Sequence, residues 1–179
     1  MSLITENLLR TKATTAYHRF QKSSAPEILA ESAKSYTLHK AYDIFLSHAF
    51  VDAELILGIK TYFEELEYTV YVDWIDDPVL DRTNVDKSTE LLLKERMKSC
   101  KSLLYAFTKN SSNSKWMPWE LGFFDGYDGN VCVMPIAKDQ TLETDNIGIE
   151  YLEIYPFITL LSDVPYVSEG FLVFVSFKK

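Results

Sequence analysis

The sequence predicts an α/β fold, an open parallel sheet with helices on both faces. Three observations predict it. From residue 42 onward, short apolar stretches alternate with stretches of helical periodicity, the signature of repeated strand–helix units. The apolar stretches are mostly continuous, as strands covered on both faces tend to be. The chain has 179 residues, 47% apolar and 25% charged, enough for one core of ordinary size.

Residues 4–21 read as a helix with Leu8, Leu9, Ala16, Tyr17 and Phe20 as an apolar stripe. Ser23-Ser24-Ala25-Pro26 breaks it. Pro26 opens a second short helix over 26–35, with Ile28, Leu29 and Ala33 on one side. Both precede the alternating pattern, so residues 1–38 are expected to form an N-terminal helical extension and residues 39–179 the α/β domain. Residues 42–47 are the first strand. Asp52 is placed to cap the next helix, where Leu55, Ile59, Tyr62, Phe63 and Leu66 recur at helical spacing. Residues 68–73 are a second strand, rich in β-branched and aromatic residues. The polar stretch 74–86 is longer than most strand–helix connections, and such loops are often functional. A helix follows over 87–99, with Leu91, Leu92 and Met97 buried. Residues 101–107 are the third strand and 130–136 the fourth. Residues 137–150 are a polar, acidic loop. Residues 151–161 and 171–177 are further strand material, and periodicity does not say which of them joins the sheet.

Between the third and fourth strands lies a short helix over 114–126. Ser114 suits its N-cap, Pro118 its first turn and Gly126 its end. Trp116 and Glu120, four apart, share a face. A carboxylate beside an indole is partly desolvated, one setting in which a side chain is tuned for chemistry. Glu120 is also consistent with an ordinary surface glutamate.

Charge and cysteine content narrow the function. The net charge is −8, and an acidic chain lacks the basic footprint that nucleic acid requires. The first forty residues carry six basic and three acidic side chains, leaving −11 on the rest. Such a basic arm fits either self-association or a solvated helix. Cys100 and Cys132 match neither a disulfide framework nor a zinc pattern and read as buried free thiols in a reducing cytosol. There is no signal-peptide pattern. No apolar run reaches the ~18 residues of a membrane span. A cytoplasmic protein without membrane or nucleic-acid partners is expected.

In open parallel sheets, ligands sit beyond the carboxyl ends of the strands, where strand order reverses. That rule gathers residues 47–52, 73–86 and 108–120 at one edge. The edge has no Gly-rich phosphate turn, so P-loop and dinucleotide fingerprints are absent. It has no serine elbow for acyl transfer. It has Ser47-His48 where a phosphate-accepting receiver would carry an acidic pair. His48 alone is a weak metal signal and reads as a positioning residue. Asp73, Asp76, Asp77, Asp81 and Asp86 lack calcium-loop spacing and read as a solvated acidic loop. No metal is expected.

Tyr42-Asp43-Ile44-Phe45-Leu46-Ser47-His48-Ala49 resembles the first-strand motif of bacterial Toll/interleukin-1 receptor (TIR) domains. Val70-Tyr71-Val72-Asp73 resembles their second strand, followed by the BB loop at 74–86. Trp116-Met117-Pro118-Trp119-Glu120 is similar to the W-x-x-x-E element of TIR domains that cleave NAD⁺. The likeness covers about residues 40–160. It implies a flavodoxin-like fold with a five-stranded parallel sheet, and hydrolysis or cyclisation of NAD⁺ at the nicotinamide–ribose bond. It implies NAD⁺ as substrate and no resident cofactor. Glu120 is then catalytic. Ser47, His48, Ala49 and Phe50 line the nucleotide pocket, with Asp73, Trp74, Arg82, Asn84 and Trp116 as further substrate contacts. Each has a plainer account: Trp116 as core packing, Arg82 as a counter-charge to nearby aspartates, Phe50 as a staple on the next helix. A short stand-alone TIR protein resembles the signal-producing component of antiphage systems such as Thoeris. That implies self-assembly with other TIR protomers and a separate effector activated by the product. Two rivals stand beside this reading: a non-catalytic TIR scaffold or host-interfering module, and a nucleoside deoxyribosyltransferase-like enzyme.

Overall fold

The computed structural model describes residues 2–20, 41–73, 87–139, 149–161 and 164–167. Its centre is a five-stranded parallel sheet of β1 (Ile4–Thr5), β2 (Tyr42–Ser47), β3 (Val70–Tyr71), β4 (Cys100–Phe107) and β5 (Val131–Ala137), in the order β1-β5-β4-β2-β3. The described helices are α1 (Glu6–Phe20), α2 (Ala53–Glu65), α3 (Lys87–Lys98) and α4 (Trp116–Tyr127). The chain leaves β2 toward β3 on one side and returns through β4 on the other. The order therefore reverses between β2 and β4, and their carboxyl ends bound the crevice.

Strand residues alternate between two cores. Ile44, Leu46, Val70, Val72, Leu104, Ala106, Cys132 and Met134 face α1 and α2. Tyr42, Phe45, Tyr71, Leu103, Tyr105, Val131 and Val133 face α3 and α4. Helix α3 buries Leu93 and Met97, whereas Leu91, expected inside, is 52% exposed. Ser114 caps α4 as expected, its Oγ accepting the Met117 N–H at 3.2 Å. The helix ends later than Gly126: it runs to Tyr127, and Gly129 (φ +73°) makes the turn, its N–H reaching the Phe124 carbonyl.

One expectation changes at the N-terminal part. Residues 4 and 5 are not the start of a helix but an edge strand, with Ile4 opposite Ile136 and Thr5 opposite Ala137. Helix α1 packs on α2, which is buried almost all round from Leu55 to Phe63. A helix apolar on every side must be covered on every side, and α1 covers the face away from the sheet. Gly58 makes the approach possible: a Cβ there would stand 2.1 Å from the Leu9 carbonyl oxygen. The helix expected over 26–35 and the boundary near residue 38 lie outside the described residues. Beyond β5, β6 (Ile158–Leu161) and β7 (Val164–Val167) form a separate antiparallel pair. Residues 171–177 lie outside the described residues.

The amino ends of the strands are clamped by Asp43. Its Oδ2 accepts from the Thr69 N–H and hydroxyl, each at 2.8 Å, and Oδ1 accepts from Lys101 Nζ at 2.7 Å. One carboxylate thus ties β2, the approach to β3, and β4. Burial alone would raise its pKa, but Lys101 and Thr69 outweigh burial and hold it below the ordinary 3.8. A lowered folded value means the clamp contributes fully above that ordinary value and fades as pH falls below it. Chemical denaturation between pH 6 and 3 is expected to show wild type more stable than Asp43→Asn at pH 6, with the gap closing toward pH 3. Gly58→Ala is expected to cost about 1–3 kcal/mol by overpacking, read as a lowered thermal midpoint.

Candidate active site

The crevice between β2 and β4 holds a cluster of buried polar side chains. Ser47, His48, Asp73 and Glu120 are each at most 1% exposed. Ser47 ends β2, and its Oγ donates to Glu120 Oε2 at 2.7 Å. Glu120 reaches it from the second turn of α4. Trp116, one turn earlier on that face, is 9% exposed. It meets Trp119 edge-on at 5.4 Å, beginning a ladder that stacks Trp119 on Phe123 and Phe123 on Tyr127. Lys94 of α3 lies over the Trp119 and Phe123 rings at 5.9 and 5.3 Å. The ladder anchors α4 and so fixes where Glu120 sits.

His48 Nδ1 lies 2.8 Å from the Leu46 carbonyl. A carbonyl only accepts, so Nδ1 carries the proton. The opposite ring nitrogen then faces Asp73, with Nε2 3.7 Å from Oδ1. Ala49 is buried, whereas Phe50 is 65% exposed with Val51 beside it at 74%. Trp74, Arg82 and Asn84 lie outside the described residues. Of the expected site residues, the structure therefore gathers Ser47, His48, Ala49, Asp73, Trp116 and Glu120 at one edge and leaves Phe50 at the surface. Among the described residues, no group of three or more His, Cys, Asp or Glu side chains is arranged to hold a metal ion.

Asp52 does not cap α2 with its side chain. Its carboxylate instead accepts from Thr108 Oγ1 and Asn110 Nδ2, each at 2.6 Å. Ser111 Oγ accepts the Thr108 N–H and donates to the Ala106 carbonyl. These bonds lock the loop after β2 to the loop after β4, the two walls of the crevice. Tyr105 was also missed by pattern alone. It stands opposite Ser47 in the strand register, so the two side chains share a face. Burial first, then the neighbouring Tyr151 and the Glu120 charge, push its pKa up. The phenol stays neutral beside the carboxylate. The signal that would have found it is register, which needs the strand pairing.

No family model matches the chain. Over 162 residues it is 48% identical to a Bacillus cereus (strain MSX-D12) protein named "Probable 3' cyclic ADP-D-ribose synthase ThsB'", covering 88% of this chain and 83% of that one. The chain belongs to that protein's family, the Thoeris-type TIR proteins. A Cytobacillus dafuensis protein named "Putative cyclic ADP-D-ribose synthase TIR2" is 35% identical over 85 residues, 47% of this chain and 22% of that one. Among the described residues of this TIR protein, no helix is long and apolar enough to cross a membrane.

Removing the Ser47 hydroxyl leaves a fully buried carboxylate short of a donor. Ser47→Ala is expected to cost about 1–3 kcal/mol in urea denaturation. In a Glu120→Leu background the same substitution is expected to cost clearly less, since the pair is then already broken.

Proposed function

We propose that this TIR protein cleaves the nicotinamide–ribose bond of NAD⁺ and closes the remaining ADP-ribose into a cyclic product. The observation that carries the reading is Glu120, a fully buried carboxylate at the point of strand reversal, oriented by Ser47. The name of the Bacillus cereus relative supports the cyclic product.

The chemistry suits a single carboxylate. Nicotinamide departs neutral, taking the C–N bonding pair, so no acid is needed to protonate it. Positive oxocarbenium character develops on the ribose. Glu120 stabilises that charge from a site largely free of water, where the interaction is strongest. A nucleophilic atom at the far end of the same molecule then attacks the ribose and loses its proton, giving the cycle. If water attacks instead, the product is linear ADP-ribose. Ser47, His48, Ala49, Asp73 and Trp116 shape the substrate site in this reading, with Phe50, Trp74, Arg82 and Asn84 as its outer contacts. NAD⁺ is substrate, and no resident cofactor or metal takes part.

Glu120 is closed off in the isolated chain, so edge side chains must move before substrate reaches it. We assign that opening to assembly with other TIR protomers. The product then serves as a cytoplasmic signal that activates a separate effector in antiphage defence.

The test is nicotinamide release from NAD⁺ by assembled protein, followed by chromatography. Glu120→Gln is expected to lower release at least about a hundredfold while leaving the circular dichroism spectrum unchanged. Release that survives this substitution contradicts the assigned role. No release from any assembled form favours the scaffold reading.

A further inference from the structure

Ser47 and Glu120 come from different parts of the fold, and chemistry needs such groups held to a fraction of an ångström. A ring of hydrogen bonds runs around them. From Ser47 the chain passes into the 3₁₀ turn Phe50–Asp52, which the Asp52 N–H closes by donating to the Ala49 carbonyl at 3.1 Å. Asp52 sits at the head of α2, where a carboxylate ordinarily caps the first turn. It makes no such bond. Its two oxygens reach across the crevice instead, Oδ2 accepting from the Thr108 hydroxyl and Oδ1 from the Asn110 amide, each at 2.6 Å.

Asn110 leads directly into the 3₁₀ turn Ser111–Asn113. That turn is held at both ends. Ser111 Oγ donates to the Ala106 carbonyl of β4 at 3.1 Å, and the Ser114 N–H donates to the Ser111 carbonyl at 3.1 Å. Ser114 caps α4 through the Met117 N–H, and in the next turn Glu120 accepts from Ser47, which closes the ring. Apolar packing fixes which face α4 turns to the sheet. The ring fixes where the helix begins relative to the end of β2, and Asp52 is its bridge.

We propose that Asp52 is a positioning residue for NAD⁺ cleavage: by tying the loop after β2 to the loop that leads into α4, it sets Glu120 against Ser47. The inference rests on the reading of Glu120 as the catalytic carboxylate. Asp52 touches neither Glu120 nor, in this reading, the substrate. Its loss therefore acts on the chemical step and not on binding, so kcat falls while KM holds. What matters is the pairing and not the charge. An asparagine at this position can still accept from Thr108 through its carbonyl. Its NH₂ group then meets the Asn110 amide, which turns over to present its own oxygen. Leucine, of similar size, can do neither. An aspartate in place of Asn110 sets two carboxylates face to face, and exchanging the two side chains restores a donor opposite an acceptor.

The experiment measures kcat and KM for nicotinamide release, per folded molecule of assembled protein. Asp52→Leu and Asn110→Asp are each expected to lower kcat by roughly ten- to a hundredfold, the scale of a misplaced reacting group, with KM within about threefold of wild type. Asp52→Asn alone, and Asp52→Asn combined with Asn110→Asp, are expected to keep kcat within about threefold of wild type, because both retain the bridge. Wild-type kcat in Asp52→Leu overturns the inference. So does a loss in Asp52→Asn as deep as in Asp52→Leu, which assigns the effect to charge, or a combined variant no better than Asn110→Asp. A second measurement needs no turnover. Ser47→Ala is expected to lower the urea midpoint less in the Asp52→Leu background than in wild type, since the ring is already open. Equal drops overturn the inference and leave the cleavage reading standing. Assembled wild type that releases no nicotinamide, with unequal drops in urea, overturns the cleavage reading and the catalytic role given to Asp52, and leaves the ring as architecture.

Discussion

The hydrogen bond from Ser47 to Glu120 is the constraint on which the site depends. A carboxylate withdrawn from water is costly unless donors meet it, and Glu120 has no exposed surface at all. One partner ends a central strand and the other rides on a helix, so the bond forms only when α4 is seated correctly on the sheet. The sequence supplies that seating several times over. Ser114 fixes where the helix starts and Gly129 where the chain turns away. Met117, Leu121 and Phe124 face the sheet, while Trp119, Phe123 and Tyr127 stack down the helix against the lysines of α3. The helix is tied down by apolar packing, and the carboxylate is positioned by what remains.

The two ends of the sheet are built differently. At the amino ends, Asp43 spends its carboxylate on Lys101 and Thr69, holding three strands in register. At the carboxyl ends, Asp52 joins the loops after β2 and β4 through Thr108 and Asn110. A site needs its parts held to a fraction of an ångström by a supporting layer. Asp52 and Ser111 supply that layer on one side of Ser47.

The parallel sheet, the helix order and the crevice were legible because period and strand composition report burial directly. Glu120 was legible because a W-x-x-x-E stretch followed the third strand, and Ser114 because capping is local chemistry. What was missed depends on non-local contacts. The edge strand at Ile4–Thr5 is two residues long and sits inside a helical pattern, so nothing local separates it from the helix. Its partner, β5, lies more than 120 residues away. The apolar run Leu55-Ile56-Leu57-Gly58-Ile59 did carry a signal. A single stripe does not use all of these residues, and the surplus marked the face that α1 covers. Asp52 looked like a cap from its position, yet a stronger pair of donors awaited it across the crevice. Tyr105 comes beside Ser47 only once β4 is paired with β2.

The central claim is that the Glu120 carboxylate faces the ribose that carries nicotinamide. The most direct measurement is a crystal structure of the assembled protein with an uncleavable NAD⁺ analogue whose nicotinamide-ribose ring oxygen is replaced by carbon. The account requires Glu120 within hydrogen-bonding distance of the hydroxyls of that ring, with Ser47 still beside it. An analogue bound with its ribose elsewhere, and Glu120 enclosed as in the free chain, would contradict it.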